Sequence, residues 1–381
     1  MSTIFCTTVF IPEKPSKNPG HYLYGAIALA KSLLSKQPEA VLGLILDYKL
    51  YKHPLMSVIR MHFREIMVVN LAPEDVNLSN FTTRMKELYA SWMTHSLTKF
   101  NFLRFLIKYE RVIFVDADIV FVEFPTGLTT INCPAAWCGS MMSKEHDGKI
   151  REKYAISNDC VCYYPIGRKH GDAVPAACLE RALESVLKEA EKPEGNSVDA
   201  DGFVTKKKQK AIGFPKTFSP SGGIYVVDRQ CSYAAFVDSV RELKEICGGQ
   251  LHTRNINGSI DELCWLYYLH KLNVGTYHIG IEYLTMDWHR YINETEGNRK
   301  VIGYHFFGSE KPWFTLIEGM PRDMIARIKG YRDTPIWHAI FETPVVQTFE
   351  PIKDPRMLKP YDGTPGPKIV VTDGQTEVSF N

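Results

Sequence analysis

Short apolar runs alternate with helical spacings over the first 125 residues of the chain. A run of consecutive apolar residues predicts a strand that is covered on both faces. Residues 20–35 instead place apolar side chains three or four positions apart, which predicts a helix with one buried face. By the same criteria, strands are predicted over residues 2–10, 40–48, 65–71, 111–122, 135–139, 222–228 and 301–308. Further helices are predicted over residues 54–63, 92–109, 176–192, 232–246 and 259–271.

This order of elements predicts an α/β fold, with a sheet flanked by helices in one large domain. Ligands of such sheets bind at the carboxyl ends of the strands. The first strand is not followed by Gly-x-Gly-x-x-Gly, and the chain has no P-loop, which argues against a dinucleotide or Walker site. Residues 140–217 break the alternation and are interpreted as an insertion into a domain spanning residues 1–343. Residues 344–381 are rich in Pro and Gly and are interpreted as an extended tail.

Composition and net charge exclude only a few classes of protein. The 381 residues are 45% hydrophobic and 23% charged, as in folded globular proteins. Lys and Arg number 45 against 43 Asp and Glu, so the net charge of +2 argues against a nucleic-acid-coating protein. The nine cysteines lie mostly in apolar segments and are interpreted as reduced, buried thiols. We find no signal-peptide pattern and no apolar stretch of about 18 residues, and therefore expect a cytoplasmic protein with no transmembrane segment.

Two carboxylates follow an apolar strand together at Asp116 and Asp118. Because burial of bare charge is costly, such a pair needs a cation or a polar cleft. Mg²⁺ and Mn²⁺ prefer carboxylate oxygens and often bridge to phosphates. A lone Asp-x-Asp is common by chance, so ordinary turn residues remain the alternative.

A second segment whose side chains could bind a ligand runs from His305 to Trp313, also at a predicted strand end. A neutral imidazole at His305 could complete a Mn²⁺ shell. Gly308 permits close approach of the backbone to a ligand, and Lys311 supplies a positive charge for a phosphate. Taken alone, His305 could equally be a structural histidine and Lys311 a surface lysine.

With both segments present in this order, the sequence resembles glycosyltransferase family 8 in its glycogenin-like members. The resemblance covers residues 2–125 and 218–314. It implies a GT-A fold and a retaining transferase that is dependent on Mn²⁺, with Mg²⁺ as the alternative ion. It also implies metal binding by Asp116, Asp118 and His305. The donor would be a UDP-sugar, with UDP-glucose and UDP-galactose as the leading candidates.

Weaker sequence matches to the family add further residues to the site that the resemblance implies. The resemblance places the donor nucleotide and its sugar against Thr7, Thr8, Tyr22, Asp116, Ala117, Ser221, Gly308 and Lys311. It assigns the catalytic roles to Lys99, Asp261 and Glu262. Three positions depart from the family pattern, because Ser221 replaces Asn, Glu262 replaces Gln and Gly258 replaces Asp.

The acceptor does not follow from the sequence. Tyr283 and Tyr291 lie in the region where glycogenin-like proteins carry a self-glycosylated tyrosine, but their local context differs. We therefore expect a separate acceptor, either a glycan, protein, lipid or polyol, and count a homodimer among the candidate assemblies. No nucleic-acid partner is expected. The alternatives are an inactive family member that binds glycans or acts as a scaffold, an enzyme that only hydrolyses its donor or transfers a nucleotide, and a metal-dependent phosphohydrolase.

Overall fold

The structure of the chain is a computed structural model. It describes residues 2–10, 21–71, 74, 76–77, 93–141, 163–164, 169–180, 183–184, 218–252, 260–285, 301–306, 311, 313, 367–372 and 375–380. Its α-helices are α1 (His21–Leu34), α2 (Met56–His62), α3 (Thr126–Thr130), α4 (Tyr233–Ile246) and α5 (Ile260–Leu272). Its 3₁₀ helices are Tyr48–Leu50, Ser96–Ile107 and Ile281–Tyr283.

Each of the seven apolar runs contains at least one strand, although the run over residues 111–122 is divided between two strands and the ends of others differ. The first eight are β1 (Thr3–Val9), β2 (Leu42–Asp47), β3 (Glu65–Val69), β4 (Val76–Asn77), β5 (Arg111–Val115), β6 (Ile119–Phe121), β7 (Ala135–Met141) and β8 (Tyr163–Tyr164). The others are β9 (Ala173–Val174), β10 (Phe218–Asp228), β11 (Leu251–His252), β12 (Thr276–His278), β13 (Gly303–His305), β14 (Pro367–Thr372) and β15 (Gln375–Phe380).

The chain forms two compact units, each assembled from separate stretches of sequence. The first unit is Met1–Leu71, Phe105–Thr130 and Ile281–Asn381, and the second is Ala72–Arg104 and Ile131–Gly280. Strands β8 and β9 lie in the predicted insertion, and β14 and β15 lie in the predicted tail. The predicted domain boundaries at residues 140, 217 and 343 stay predictions. Part of the predicted helix 176–192 lies outside the described residues.

The first unit contains a six-stranded sheet in the order β14, β15, β3, β2, β1 and β5. Neighbouring strands are parallel except for the antiparallel pair β14 and β15. All six residues of β2 are buried, and so are all five of β3 and of β5. Burial of every residue explains why the sequence shows continuous apolar runs here rather than alternation.

The second unit contains β10, β7, β12 and β9 in that order, with β8 also pairing with β7. Here antiparallel pairs, such as β10 with β7, adjoin the parallel pair β12 and β7. Helices α4 and α5 pack against one another in this unit. The predicted α/β class, with mixed sheets and flanking helices, is confirmed. Among the described residues, no helix is long and apolar enough to cross a membrane.

The predicted strand over residues 111–122 is in fact two strands separated by a turn. Strand β5 ends at Val115, and the Ile119 amide then donates to the Asp116 carbonyl at 3.0 Å. Strand β6 pairs with β13 rather than with the larger sheet. Two carboxylates cannot continue a strand that is buried on both faces without a large desolvation cost, so the chain turns at this point.

The helix predicted over residues 92–109 is a 3₁₀ helix at Ser96–Ile107. A 3₁₀ helix has three residues per turn, so side chains three positions apart align. Its apolar side chains are buried on several sides of the helix rather than along one stripe: Leu97, Phe100, Phe102, Leu103, Phe105 and Leu106 are at most 9% exposed.

Phe100 anchors this helix in the second unit. Its ring is fully buried and stacks on the ring of Phe236, with centroids 4.2 Å apart. We expect Phe100→Ala to lower the free energy of unfolding by about 3–5 kcal/mol, because it removes a buried ring and leaves a cavity. The exposed Ile107 of the same helix gives the control, Ile107→Ala, with an expected change of about 0.5 kcal/mol or less. Equal losses in denaturant unfolding would contradict the assignment of Phe100 to the core.

Candidate functional site

Three potential metal ligands of the first unit lie together. Asp116, Asp118 and His305 each offer one ligand atom, and these atoms lie within 4.8 Å of one another. His305 is buried, whereas Asp116 and Asp118 are partly exposed. Two carboxylate oxygens and one imidazole nitrogen form a donor set that suits Mn²⁺, and the two oxygens also suit Mg²⁺. The residues present therefore fit the divalent ion that the resemblance implies.

The pairing of β6 with β13 brings the histidine to the carboxylates. His305 lies opposite Ile119, the residue that follows Asp118. The next amide, that of Phe306, donates to the Asp118 carbonyl at 2.9 Å. The His305 Nε2 atom lies 3.3 Å from Asp118 Oδ1. Backbone register thus places the imidazole before any ion is bound.

Lys311 belongs to the same cluster. Its Nζ atom donates to Asp118 Oδ2 at 2.6 Å and to the Phe306 carbonyl at 2.5 Å, and its side chain is 2% exposed. Burial opposes ionisation of Asp118, but the Lys311 ammonium and His305 hold the pKa of its carboxyl well below the usual range. Asp118 is therefore ionised at neutral pH, as a metal ligand must be.

An apolar cluster holds the chain that carries Lys311. Ala28, Val120, Phe306 and Trp313 pack together and are each less than 8% exposed. The rings of Phe306 and Trp313 meet edge to face, with centroids 5.9 Å apart. Phe306 and Trp313, which lie on either side of Lys311 in sequence, are thus both packed in this cluster.

Gly25 lets helix α1 approach the Asp116–Asp118 turn closely. A Cβ atom at Gly25 would lie 2.4 Å from the Ala117 carbonyl oxygen and 2.8 Å from the Trp313 ring. No real Cβ contact to a backbone atom is that short, so a larger residue would displace the turn or the helix. Gly25 is a site residue that the sequence did not identify, and its position three residues after Tyr22 is the signal that could have marked it.

Three residues implied to bind the nucleotide lie in the same unit. Strands β1 and β5 are parallel and paired up to Cys6 and Phe114, so Thr7 and Thr8 follow this pairing in β1 as Val115 and Asp116 follow it in sequence. The Thr7 and Thr8 hydroxyls are buried and have no hydrogen-bond partner among the described residues. Tyr22 is 39% exposed. Burial raises the pKa of its hydroxyl, the positive charge of Lys311 lowers that pKa, and the negative charges of Asp118 and Asp116 raise it.

A separate cluster lies in the second unit. Lys99 Nζ lies 2.7 Å from Asp261 Oδ2, and the two side chains are 7% and 0% exposed. Lys99 also donates to the Gly222 carbonyl at 3.3 Å, although the two residues are 123 positions apart in sequence. Asp261 Oδ1 is buried and has no hydrogen-bond partner among the described residues. The 3₁₀ helix Ser96–Ile107 and α5 thus supply the two partners of a buried ion pair, in which the Oδ1 atom of Asp261 is not bound by a described residue.

Strand β10 closes this cluster through a glycine. A Cβ atom at Gly222 would lie 2.5 Å from Asp261 Oδ2 and 2.9 Å from Lys99 Nζ. The Gly222 amide donates to Glu262 Oε1 at 3.2 Å. The backbone of Ser221 is next to this contact in β10. Gly308 and Gly258, which the sequence also singled out, lie outside the described residues.

Comparison with known proteins confirms the resemblance. Residues 18–163 match the family model "Glycosyl transferase family 8". The chain is similar in structure to a galactosyltransferase LgtC in complex with donor and acceptor sugar analogues. The TM-score is 0.42 at 11% identity, covering 88% of this chain and 97% of that chain. A comparison with curated proteins gives no match.

Two further solved structures are similar at lower scores. The glycosyltransferase GlyE of Streptococcus pneumoniae has a TM-score of 0.39 at 10% identity, over 89% of this chain and 62% of that chain. Mouse xyloside xylosyltransferase 1 has a TM-score of 0.33 at 11% identity, over 80% of this chain and 96% of that chain. At these scores the likenesses identify no substrate. The match to the family model supports a sugar-transferase activity.

The first prediction from this geometry concerns Gly25. In an open helix, Gly→Ala stabilises by about 0.5–1 kcal/mol because alanine loses less backbone entropy. The close approach to the Ala117 carbonyl reverses the sign here, so we expect Gly25→Ala to destabilise by about 1–3 kcal/mol. Denaturant unfolding measures this, with Tyr24→Ala on the exposed face of α1 as the control. Stabilisation by Gly25→Ala would refute the close approach.

The second prediction concerns the buried pair in the second unit. Lys99→Met or Asp261→Asn alone leaves a buried charge or acceptor unpaired, and each should cost about 3–5 kcal/mol. Because the two losses share one interaction, the double variant should cost clearly less than the sum. A double-mutant cycle measures the coupling. The exposed pair Arg241 and Asp238 is the matched control, with an expected coupling of about 0.5 kcal/mol or less. Additive losses at Lys99 and Asp261 would exclude the pair.

Proposed function

We propose, from the confirmed resemblance to glycosyltransferase family 8, that this chain is a retaining glycosyltransferase that uses a UDP-sugar and a divalent metal ion. The proposed donor is UDP-glucose or UDP-galactose. The observation that carries the proposal is the convergence of Asp116, Asp118, His305 and Lys311 in one cluster of the first unit. The family match alone supports sugar transfer, and we infer the donor, the metal and the acceptor beyond it.

The charges of the first unit suit departure of a diphosphate. A divalent ion held by Asp116, Asp118 and His305 would supply Lewis-acid stabilisation of the leaving group. Lys311 places a second positive charge within the same cluster. Preorganised charge of this kind stabilises a transition state in which negative charge develops on the leaving group. Mn²⁺ is the proposed ion, and Mg²⁺ the alternative.

The nucleotide is proposed to contact Thr7, Thr8 and Tyr22. The two buried threonine hydroxyls without partners among the described residues are acceptors and donors that a ligand could satisfy. Tyr22 keeps an exposed part of its ring at the start of α1, which suits stacking on a base. The role of Gly308 remains a proposal from the resemblance.

The roles proposed for the second unit are carried over from the resemblance. Asp261 would stabilise the electron-poor anomeric carbon or attack it, and Lys99 would hold that carboxylate in place. Glu262 accepts a hydrogen bond from the Gly222 amide, so the replacement of Gln by Glu retains an acceptor at this position. Retention of configuration follows from either a covalent intermediate or attack from the leaving-group face, and both stay open.

A separate acceptor is proposed rather than a tyrosine of this chain. Tyr283 is only 5% exposed, and burial raises its pKa to about 12, so its hydroxyl is a poor nucleophile. Tyr291 lies outside the described residues. The acceptor class, a homodimeric assembly and a cytoplasmic location stay predictions.

Release of UDP from a panel of UDP-sugars tests the proposal. We expect release from one donor with Mn²⁺, loss of that release with EDTA, and a reduction of about 100-fold or more in Asp118→Asn. Asp238→Asn removes an exposed carboxylate with the same chemistry and should retain full activity. A full-activity Asp118→Asn variant would refute the metal role. Binding of UDP with Mn²⁺ but no turnover with any acceptor would favour the inactive, glycan-binding alternative.

A further inference from the structure

Lys311 is a buried cation that contacts one of the candidate metal ligands, Asp118. Its ammonium group has two acceptors, Asp118 Oδ2 at 2.6 Å and the Phe306 carbonyl at 2.5 Å. Only 2% of its side chain is exposed, so water screens its charge weakly. The ammonium therefore acts on its neighbours more strongly than the ammonium of an exposed lysine would.

The two oxygens of Asp118 face two different groups. Oδ1 lies 3.3 Å from His305 Nε2, on the side of the candidate metal ligands, whereas Oδ2 is bound to Lys311. A single carboxylate thus separates the lysine ammonium from the position that a divalent ion would take. Two cations on one carboxylate repel each other while sharing its negative charge.

The formal charges of the cluster indicate whether Lys311 raises or lowers the affinity for a divalent ion. Two carboxylates and one ammonium leave a single negative charge when His305 is neutral. A divalent ion would turn this into a net positive charge, which is unfavourable in a partly buried site. A diphosphate group would restore the balance. Without Lys311, the two carboxylates alone would neutralise a divalent ion.

We propose that Lys311 makes metal binding conditional on the diphosphate, by weakening the binding of the ion until an anionic ligand neutralises the excess positive charge. This inference rests on the proposed function, because it takes the metal and the UDP-sugar as given. It goes further by assigning the coupling between the two ligands to one side chain. The benefit to the protein would be a site that holds the ion mainly when the donor is present.

A purely orienting role for Lys311 predicts the opposite sign. If Lys311 only held the Asp118 carboxylate in place, its removal would loosen a metal ligand and weaken metal binding. If Lys311 competes electrostatically, its removal strengthens metal binding in the absence of nucleotide. The sign of the change therefore separates the two roles.

Mn²⁺ binding to the full chain, followed by electron paramagnetic resonance of the free ion, provides the test. Lys311→Met removes both charge and hydrogen bonds, Lys311→Gln removes charge but keeps a donor, and Lys311→Arg keeps both. Without nucleotide, we expect the Met and Gln variants to bind Mn²⁺ about 10- to 100-fold more tightly than the unaltered chain. Their gain in Mn²⁺ affinity on adding UDP should shrink by a similar factor, and the Arg variant should behave like the unaltered chain.

Unchanged or weaker Mn²⁺ binding by the Gln variant would overturn the inference. The Gln variant keeps a polar donor beside Asp118, so it provides the answer if the Met variant fails to fold, as thermal unfolding would show. Lys108→Met is the control, because Lys108 pairs with Glu65 and is not a member of the metal cluster. Its Mn²⁺ affinity should match that of the unaltered chain.

The same titration distinguishes the failure of this inference from that of the proposed function. If the unaltered chain binds no Mn²⁺ even with UDP, the proposed metal site is wrong and the inference is overturned with it. If the unaltered chain binds Mn²⁺ with UDP and the Met and Gln variants bind it no more tightly without UDP, only the inference is overturned.

Discussion

The negative charge of Asp118 is the constraint on which the organisation of the first unit depends. It follows a strand whose five residues are all buried, so its carboxylate needs partners other than bulk water. Those partners come from distant sequence: His305, which the pairing of β13 with β6 brings close, and Lys311, whose ammonium contacts the carboxylate directly. The turn, the small two-stranded sheet and the packing of Trp313 are all arrangements that bring positive or neutral donors to this carboxylate.

Packing makes this arrangement rigid enough to hold a ligand set before any ion binds. Helix α1 lies against the turn at van der Waals distance because Gly25 has no side chain. The Ser32 hydroxyl on the same helix accepts a hydrogen bond from the Phe121 amide at 3.1 Å, which ties β6 to α1. A site whose ligands are fixed by backbone contacts loses little entropy when it binds a metal or a substrate.

The sequence predicts the strands well because full burial leaves a local signature, the continuous apolar run. It predicts the Asp116–Asp118 and His305 segments because their chemistry is unusual next to such runs. The break in the strand after Val115 could not be predicted from periodicity, since Ile119 and its neighbours are as apolar as β5 itself. The 3₁₀ form of Ser96–Ile107 could not be predicted because apolar residues are buried on several sides of this helix, so their spacing does not define one period.

The contacts between charges could not be predicted either, because they join residues far apart in sequence. Lys311 and Asp118 are separated by 193 positions, and nothing local to either residue identifies the other. Only the family resemblance placed them in one site, and it assigned Lys311 to a phosphate rather than to Asp118. The bond between Lys311 and Asp118 is thus the part of the site that required three-dimensional information.

The clusters of the two units differ in how far their buried carboxylates are neutralised, and this difference affects which ligands each cluster attracts. In the first, two carboxylates lie together and only Asp118 is shown to pair with the Lys311 ammonium, so negative charge remains for a cation. In the second, Lys99 and Asp261 form a one-to-one pair, which leaves little attraction for a metal ion. Asp261 Oδ1 still lacks a hydrogen-bond partner among the described residues, and a buried acceptor of this kind favours a neutral donor such as a hydroxyl. The first cluster therefore keeps charge that attracts a cation, whereas the second offers one buried acceptor to a neutral donor.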